Sequence, residues 1–167
     1  MKLLCLLRHA KSSWADDDLP DRERPLTGRG RKAAAKVARY LADQHVEPDL
    51  VLCSPALRTR QTLELLRPAL PEGAEVAVED GLYGAPADDL LRRLHDLPEG
   101  AGRVLVIGHN PGLQELAARL APPGQRDRLD HFPTAALAVF ALQHGGWTDL
   151  DERPAELVAL VVPRDLD

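Results

Sequence analysis

The sequence predicts an α/β fold: three layers, helix, sheet and helix, around a mostly parallel sheet, in a single domain spanning residues 1–167. Two observations carry this. Short runs such as "KLLCLL" (2–7), "DLVLC" (49–53) and "RVLVIG" (103–108) are almost wholly apolar, as strands buried on both faces must be. Between them lie stretches whose apolar residues recur every three to four positions, the pattern of amphipathic helices. The domain count rests on a third: "PALPEG", "LPEGAG" and "APPG" are turn-rich joints rather than linkers, and no repeat or low-complexity tract interrupts the chain.

In order, residues 2–7 form the first strand, and 28–45 form a helix that places Ala34, Val37, Ala38 and Leu41 on one face behind Thr27 as its cap. Strand 49–53 leads into a helix from about 55 to 66, and "EVAV" (75–78) is a shorter strand. A helix around 87–96 carries Leu90, Leu91 and Leu94, and strand 103–108 precedes a helix with Leu113, Leu116, Ala117 and Leu120 on one side. "ALAVFAL" (136–142) and "ELVALVV" (156–162) read as a final pair of strands.

Bulk properties narrow the function. With 21 Lys and Arg against 26 Asp and Glu, the formal charge is −5, whereas nucleic-acid binding normally shows as a basic domain. The N-terminal apolar run is shorter than a secretory core, and no segment approaches the ~20 apolar residues of a membrane span, so a cytoplasmic protein with no membrane partner is expected. Cys5 and Cys53 fall inside predicted strands, where a thiol acts as a small hydrophobe. The histidines lack metal-ligand spacing and no phosphate-loop motif "GxxxxGK[ST]" is present, so no metal and no cofactor are expected.

Parallel sheets bind ligands beyond the carboxyl ends of their strands. Immediately after those ends in this chain come Arg8-His9, "SPALRTRQT" (54–62) and "GHNPG" (108–112). Ser54-Pro55 and Asn110-Pro111 each read as a helix cap followed by proline at the first helical position. Two helix N-termini would then face the crevice, together with Arg8, Arg58, His9 and His109. That set suits a dianion, most naturally a phosphoryl group. Gln61 and Thr62 read as supports, Ser12 as a phosphate contact or a polar loop residue, and Trp14 as a substrate platform or a packing aromatic. His45, His95, His131 and His144 belong to no motif.

In this order, "LLRHA", "RPLTGRG", "SPALRTRQT" and "GHNPG" resemble the histidine phosphatase superfamily, with its phosphoglycerate-mutase-like fold, and most closely its small SixA-like phosphohistidine phosphatase branch. The resemblance spans roughly residues 2–142. It implies a covalent mechanism: His9 attacks phosphorus and water then hydrolyses the phosphohistidine. Arg8, Arg58 and His109 would bind the phosphoryl oxygens, with Ser12, Asn110 and Thr27 binding phosphate or supporting the site. It also implies a phosphorylated protein of phosphorelay or phosphotransfer type as substrate.

Sugar phosphatases and mutases of the wider superfamily carry an acid after the third strand. The corresponding "AVEDGLYGAPADD" matches that motif poorly, and Asp18, Asp21, Glu79 and Asp80 all stand as candidate proton donors. An alkoxide needs a proton to leave, whereas imidazole leaves more readily. The expected activity is therefore hydrolysis of protein phosphohistidine. A small-molecule phosphomonoesterase with the same core and a silent phosphate-binding module are the rival readings.

Overall fold

The computed structural model describes residues 1–153 and 155–166. Its strands are β1 (Lys2–Arg8), β2 (Leu50–Cys53), β3 (Glu75–Val78), β4 (Arg103–Gly108), β5 (Leu137–Leu142) and β6 (Glu156–Val161). They form one sheet in the order β3-β2-β4-β1-β5-β6. The first four strands pair in parallel, while β5 runs antiparallel to both β1 and β6. The sheet is thus mostly parallel, with β5 as the reversed strand.

Strand side chains alternate between faces, and two cores result. On one face Cys5, Leu7, Val51, Cys53, Leu105 and Ile107 pack beneath α1 (Gly28–Asp43) and α2 (Leu57–Leu66). On the other, Leu4, Leu6, Leu52, Val104 and Val106 meet α3 (Ala87–His95) and α4 (Gly112–Leu120). Both cysteines are buried and unpaired, and burial pushes each thiol up to about 12. No helix among the described residues is long and apolar enough to cross a membrane.

Helix boundaries differ from the sequence expectation at three places. Helix α1 ends at Asp43, because His45 takes a left-handed conformation (φ 52°) and Val46 N–H returns to the Leu41 carbonyl at 2.9 Å. This Schellman closure buries Val46, which lies just past the expected helix end at residue 45. Ser54 and Asn110 do not cap α2 and α4: the helices begin at Leu57 and Gly112, with Ala56 and Pro111 in the capping positions and no side-chain cap bond. The Ser54 hydroxyl is engaged by His109, and the Asn110 amide is drawn to the Phe132 carbonyl at 2.9 Å. Thr27 does cap α1, accepting from Gly30 N–H at 2.9 Å.

Strand register determines what meets at the carboxyl ends. Arg8 pairs with Gly108, and Cys53 with Ile107. Ladder bonds continue one residue further, from His9 N–H to the Gly108 carbonyl and from Ser54 N–H to the Ile107 carbonyl, both 3.1 Å. His9, Ser54 and His109 therefore emerge from adjacent strands at one level.

Candidate active site

A cleft of about 660 Å³ opens over these three strand ends. Arg8, His9, Ser12, Trp14, Asp21, Arg58, His109 and Asn110 line it, so eight residues singled out from sequence converge on one place. Thr27, Asp18, Glu79 and Asp80 lie off its walls. Thr27 serves the helix cap, and its backbone N–H donates to the Lys11 carbonyl at 2.9 Å, steadying the loop behind His9. Glu79 is clamped by Arg93 at 2.7 and 2.9 Å, and Asp80 points to Arg22 at 3.5 Å from an exposed position. Asp18 is exposed, its N–H bonded to the Asp16 carboxylate.

His9 is buried, with Nδ1 2.7 Å from the Ala10 carbonyl. A carbonyl only accepts, so Nδ1 carries the hydrogen and Nε2 is left with its lone pair. Among the described residues Nε2 has no hydrogen-bond partner. Burial above all, then the charges of Arg58 and Arg8 and the neighbouring His109, hold the His9 pKa down to about 3 against the pull of the Ala10 carbonyl. The ring is neutral at pH 7.

His109 faces His9, with ring centroids 5.3 Å apart. Its Nε2 lies 2.7 Å from Ser54 Oγ, and Nδ1 meets Arg58 Nη2 at 3.4 Å. With the guanidinium donating to Nδ1, the Nε2 hydrogen goes to Ser54 Oγ. Burial and the Arg58 charge lower the His109 pKa to about 4.

The arginines are held by their terminal nitrogens. Arg8 Nη1 donates to the Phe132 carbonyl at 3.3 Å, whereas the buried Nε atoms of Arg8 and Arg58 have no acceptor among the described residues. Behind Arg58, Thr62 Oγ1 donates to the Arg58 carbonyl at 2.8 Å and accepts from Ala10 N–H at 3.1 Å. Gln61 accepts from Leu26 N–H at 2.8 Å, so both residues brace the cleft from outside, as supports.

Two residues of the cleft wall, Arg24 and Tyr83, were not legible as site components. Arg24 is buried and donates to Ser12 Oγ at 2.5 Å, to the Ser13 carbonyl at 3.0 Å and to Asp21 at 2.9 Å. Its guanidinium lies 3.3 Å from the ring centre of the exposed Trp14, which makes that ring a stacking partner rather than a core aromatic. Tyr83 stands edge-on to His109 and donates its hydroxyl to Asp21. The hint for Arg24 lay in "RPLTGRG"; Tyr83 sits in the region that matched no motif.

Asp21 is the one carboxylate on the cleft wall among the described residues. Arg58 donates to it twice, Nη1 to the backbone carbonyl at 2.7 Å and Nη2 to the carboxylate at 2.9 Å. The Tyr83 hydroxyl, then Arg58 and Arg24, hold its carboxyl well below the usual range despite some desolvation. At neutral pH it is an anion.

An α/β sheet whose strand ends gather arginines and neutral histidines defines a class of phosphoryl-handling enzymes, and comparison with known proteins makes it specific. The histidine phosphatase superfamily (branch 1) model matches residues 4–84. The phosphohistidine phosphatase SixA of Escherichia coli (strain K12) is 36% identical over 84% of this chain and 86% of its own length. An uncharacterized protein of Mycobacterium tuberculosis is 34% identical over 95% of this chain and all of its own. The structure of the protein histidine phosphatase SixA complexed with tungstate superposes with a TM-score of 0.82 at 28% identity, covering 99% of each chain. This chain belongs to the histidine phosphatase superfamily, in its SixA-like branch, and is a phosphatase.

Proposed function

We propose that the protein hydrolyses phosphohistidine on a protein substrate, through a covalent intermediate on His9 and without a metal. One observation carries the reading: a neutral His9, pinned at Nδ1 and open at Nε2, faces arginines, while the one carboxyl on the cleft wall among the described residues, Asp21, is ionised. A neutral imidazole is a competent nucleophile.

In the first step the Nε2 lone pair forms a bond to phosphorus as the substrate's P–N bond breaks. The departing imidazole leaves neutral when its other ring nitrogen carries a proton. No cleft acid is then needed, which suits an ionised Asp21. In the second step water attacks phosphorus, the P–Nε2 bond breaks, and inorganic phosphate departs with His9 restored.

Arg8 and Arg58 would meet the equatorial oxygens, whose charge their N–H groups stabilise; His109 would join them in its other tautomer, with Nε2 accepting from the Ser54 hydroxyl and Nδ1–H turned to an oxygen. Ser12 and Asn110 stand on the same wall. That the related SixA is solved in complex with tungstate, a tetrahedral oxyanion, supports a phosphate-like ligand for this chain. Metal independence is supported by donor chemistry: no group of three or more His, Cys, Asp or Glu among the described residues could hold a metal ion.

Asp21 gives the rival phosphomonoesterase reading its one foothold, as the carboxyl nearest the phosphate site. The test is phosphate release in EDTA from a phosphohistidine protein and from phosphomonoesters, with His9→Ala as control. Preference for the phosphohistidine protein, lost in the variant, is the expected result; preference for monoesters overturns the substrate assignment, and loss of turnover in EDTA overturns metal independence.

A further inference from the structure

A second cavity of about 290 Å³ adjoins the catalytic cleft, and Lys11 and Thr134 line both. Its cations come from three separate elements: Lys11 from the loop after β1, Arg29 from the first turn of α1, and Arg164 from the short turn after β6. All three are exposed, and none forms an ion pair among the described residues. No carboxylate among the described residues lines the cavity, whose floor includes Ala33, Pro133 and Val162.

The molecule carries a formal charge of −5, yet no acidic side chain among the described residues lines this cavity to balance its cations. A row of unpaired cations beside the catalytic cleft is therefore a local reversal of the protein's field. An anionic partner is repelled by the molecule as a whole and attracted at this groove, which orients its approach. The apolar floor and the volume suit a few side chains of a polypeptide better than a single small anion.

We infer that the groove formed by Lys11, Arg29 and Arg164 docks an acidic segment of the substrate protein next to its phosphohistidine. The inference rests on the reading that the substrate is a protein phosphohistidine. The groove would give selectivity among phosphoproteins, while the catalytic cleft handles the phosphoryl group common to all of them.

The test uses phosphohistidine peptides identical except for flanks of Glu, Ser or Lys. Wild-type protein is expected to show kcat/KM roughly tenfold higher for the Glu-flanked peptide than for the Lys-flanked one, a preference that weakens with salt. In Arg29→Glu/Arg164→Glu that preference should vanish or invert, with turnover of a small phosphoramidate unchanged. Equal kcat/KM across flanks, or a preference that survives the double variant, overturns the docking assignment. If no phosphohistidine peptide is turned over, the substrate reading falls instead. The groove is then judged by the unphosphorylated Glu-flanked peptide as an inhibitor of small-substrate turnover: inhibition by wild type but not the double variant sustains it, and no inhibition ends it. An oligonucleotide that inhibits more strongly than the Glu peptide would reassign the groove to nucleic acid.

Discussion

Ser54 Oγ lies 2.7 Å from Nε2 of His109, joining the carboxyl end of β2 to that of β4. The contact replaces the helix cap that a serine before proline suggests, and it fixes the imidazole so that Nδ1 looks toward Arg58. Ser54→Ala should keep the fold, since the hydroxyl is small, but leave a buried ring nitrogen unpaired at a cost of about 1–3 kcal/mol. We expect kcat to fall roughly tenfold with a smaller change in KM, since a misoriented donor matters most where charge develops. Equal loss of kcat in a variant destabilised to the same Tm by a substitution far from the cleft would reduce the effect to stability.

His9→Ala should abolish turnover and the acid-labile phosphoenzyme trapped by rapid quench. Arg58→Ala should retain slow turnover, reduced by about 10²–10³, because a preorganised charge donor is lost while the nucleophile stays. A labelled phosphoenzyme surviving in His9→Ala would move the nucleophile elsewhere.

The pH dependence follows from the two histidines. With His9 at about 3 and His109 at about 4, the acid limb of kcat/KM for the free enzyme should lie near or below pH 4, not near the ordinary histidine value of ~6.5. Stability has a linked sign. Both folded values are depressed, so between ~6.5 and about 4 the unfolded chain binds protons that the folded chain refuses, and stability is lost as pH falls through that window. Urea midpoints at pH 7 and pH 5 should show this, with a smaller drop in His9→Asn. Asp21, also depressed, acts only below the unfolded carboxylate range of ~4, so the two contributions separate.

Asp21 occupies Arg58, the guanidinium that an oxyanion would need. Asp21→Asn removes that competing negative charge, so inorganic phosphate should inhibit the variant several-fold more strongly while phosphohistidine turnover persists. Loss of phosphohistidine turnover in the variant, with rescue only at acid pH, would instead assign Asp21 a proton-transfer role.

Two glycines of "TGRG" should behave oppositely. A Cβ on Gly30 would stand 2.2 Å from the Lys11 carbonyl oxygen, whereas one on Gly28 meets nothing within 4 Å. Helix propensity favours alanine by up to ~1 kcal/mol, but a backbone clash of this kind costs about 1–3 kcal/mol. Gly30→Ala should therefore lower the Tm and displace the loop after His9, reducing activity, while Gly28→Ala should raise the Tm slightly.

Much of this architecture is written locally. Buried parallel strands are apolar over their whole length and amphipathic helices are not, so periodicity alone separated β1, β2 and β4 from the helices between them. The catalytic candidates Arg8, His9, Arg58 and His109 were legible because each directly follows a strand or opens the next helix, where parallel sheets expose their ends. Thr27 could be read as a cap from its own neighbours.

What depends on distant pairing was not legible. Ser54 has a choice between capping a helix and bonding His109, and only the register of β2 against β4 brings that histidine within reach. Arg24 and Tyr83 reach the cleft from loops whose course no periodicity records, and four carboxylates of similar local appearance could be told apart only by their neighbours: Glu79 beside Arg93, Asp21 beside Arg58. Composition and spacing determined that this chain builds a crevice fit for a phosphoryl group. Which side chains share that crevice, and in which protonation state, was decided by tertiary structure, because burial and through-space charge are properties of the assembled fold.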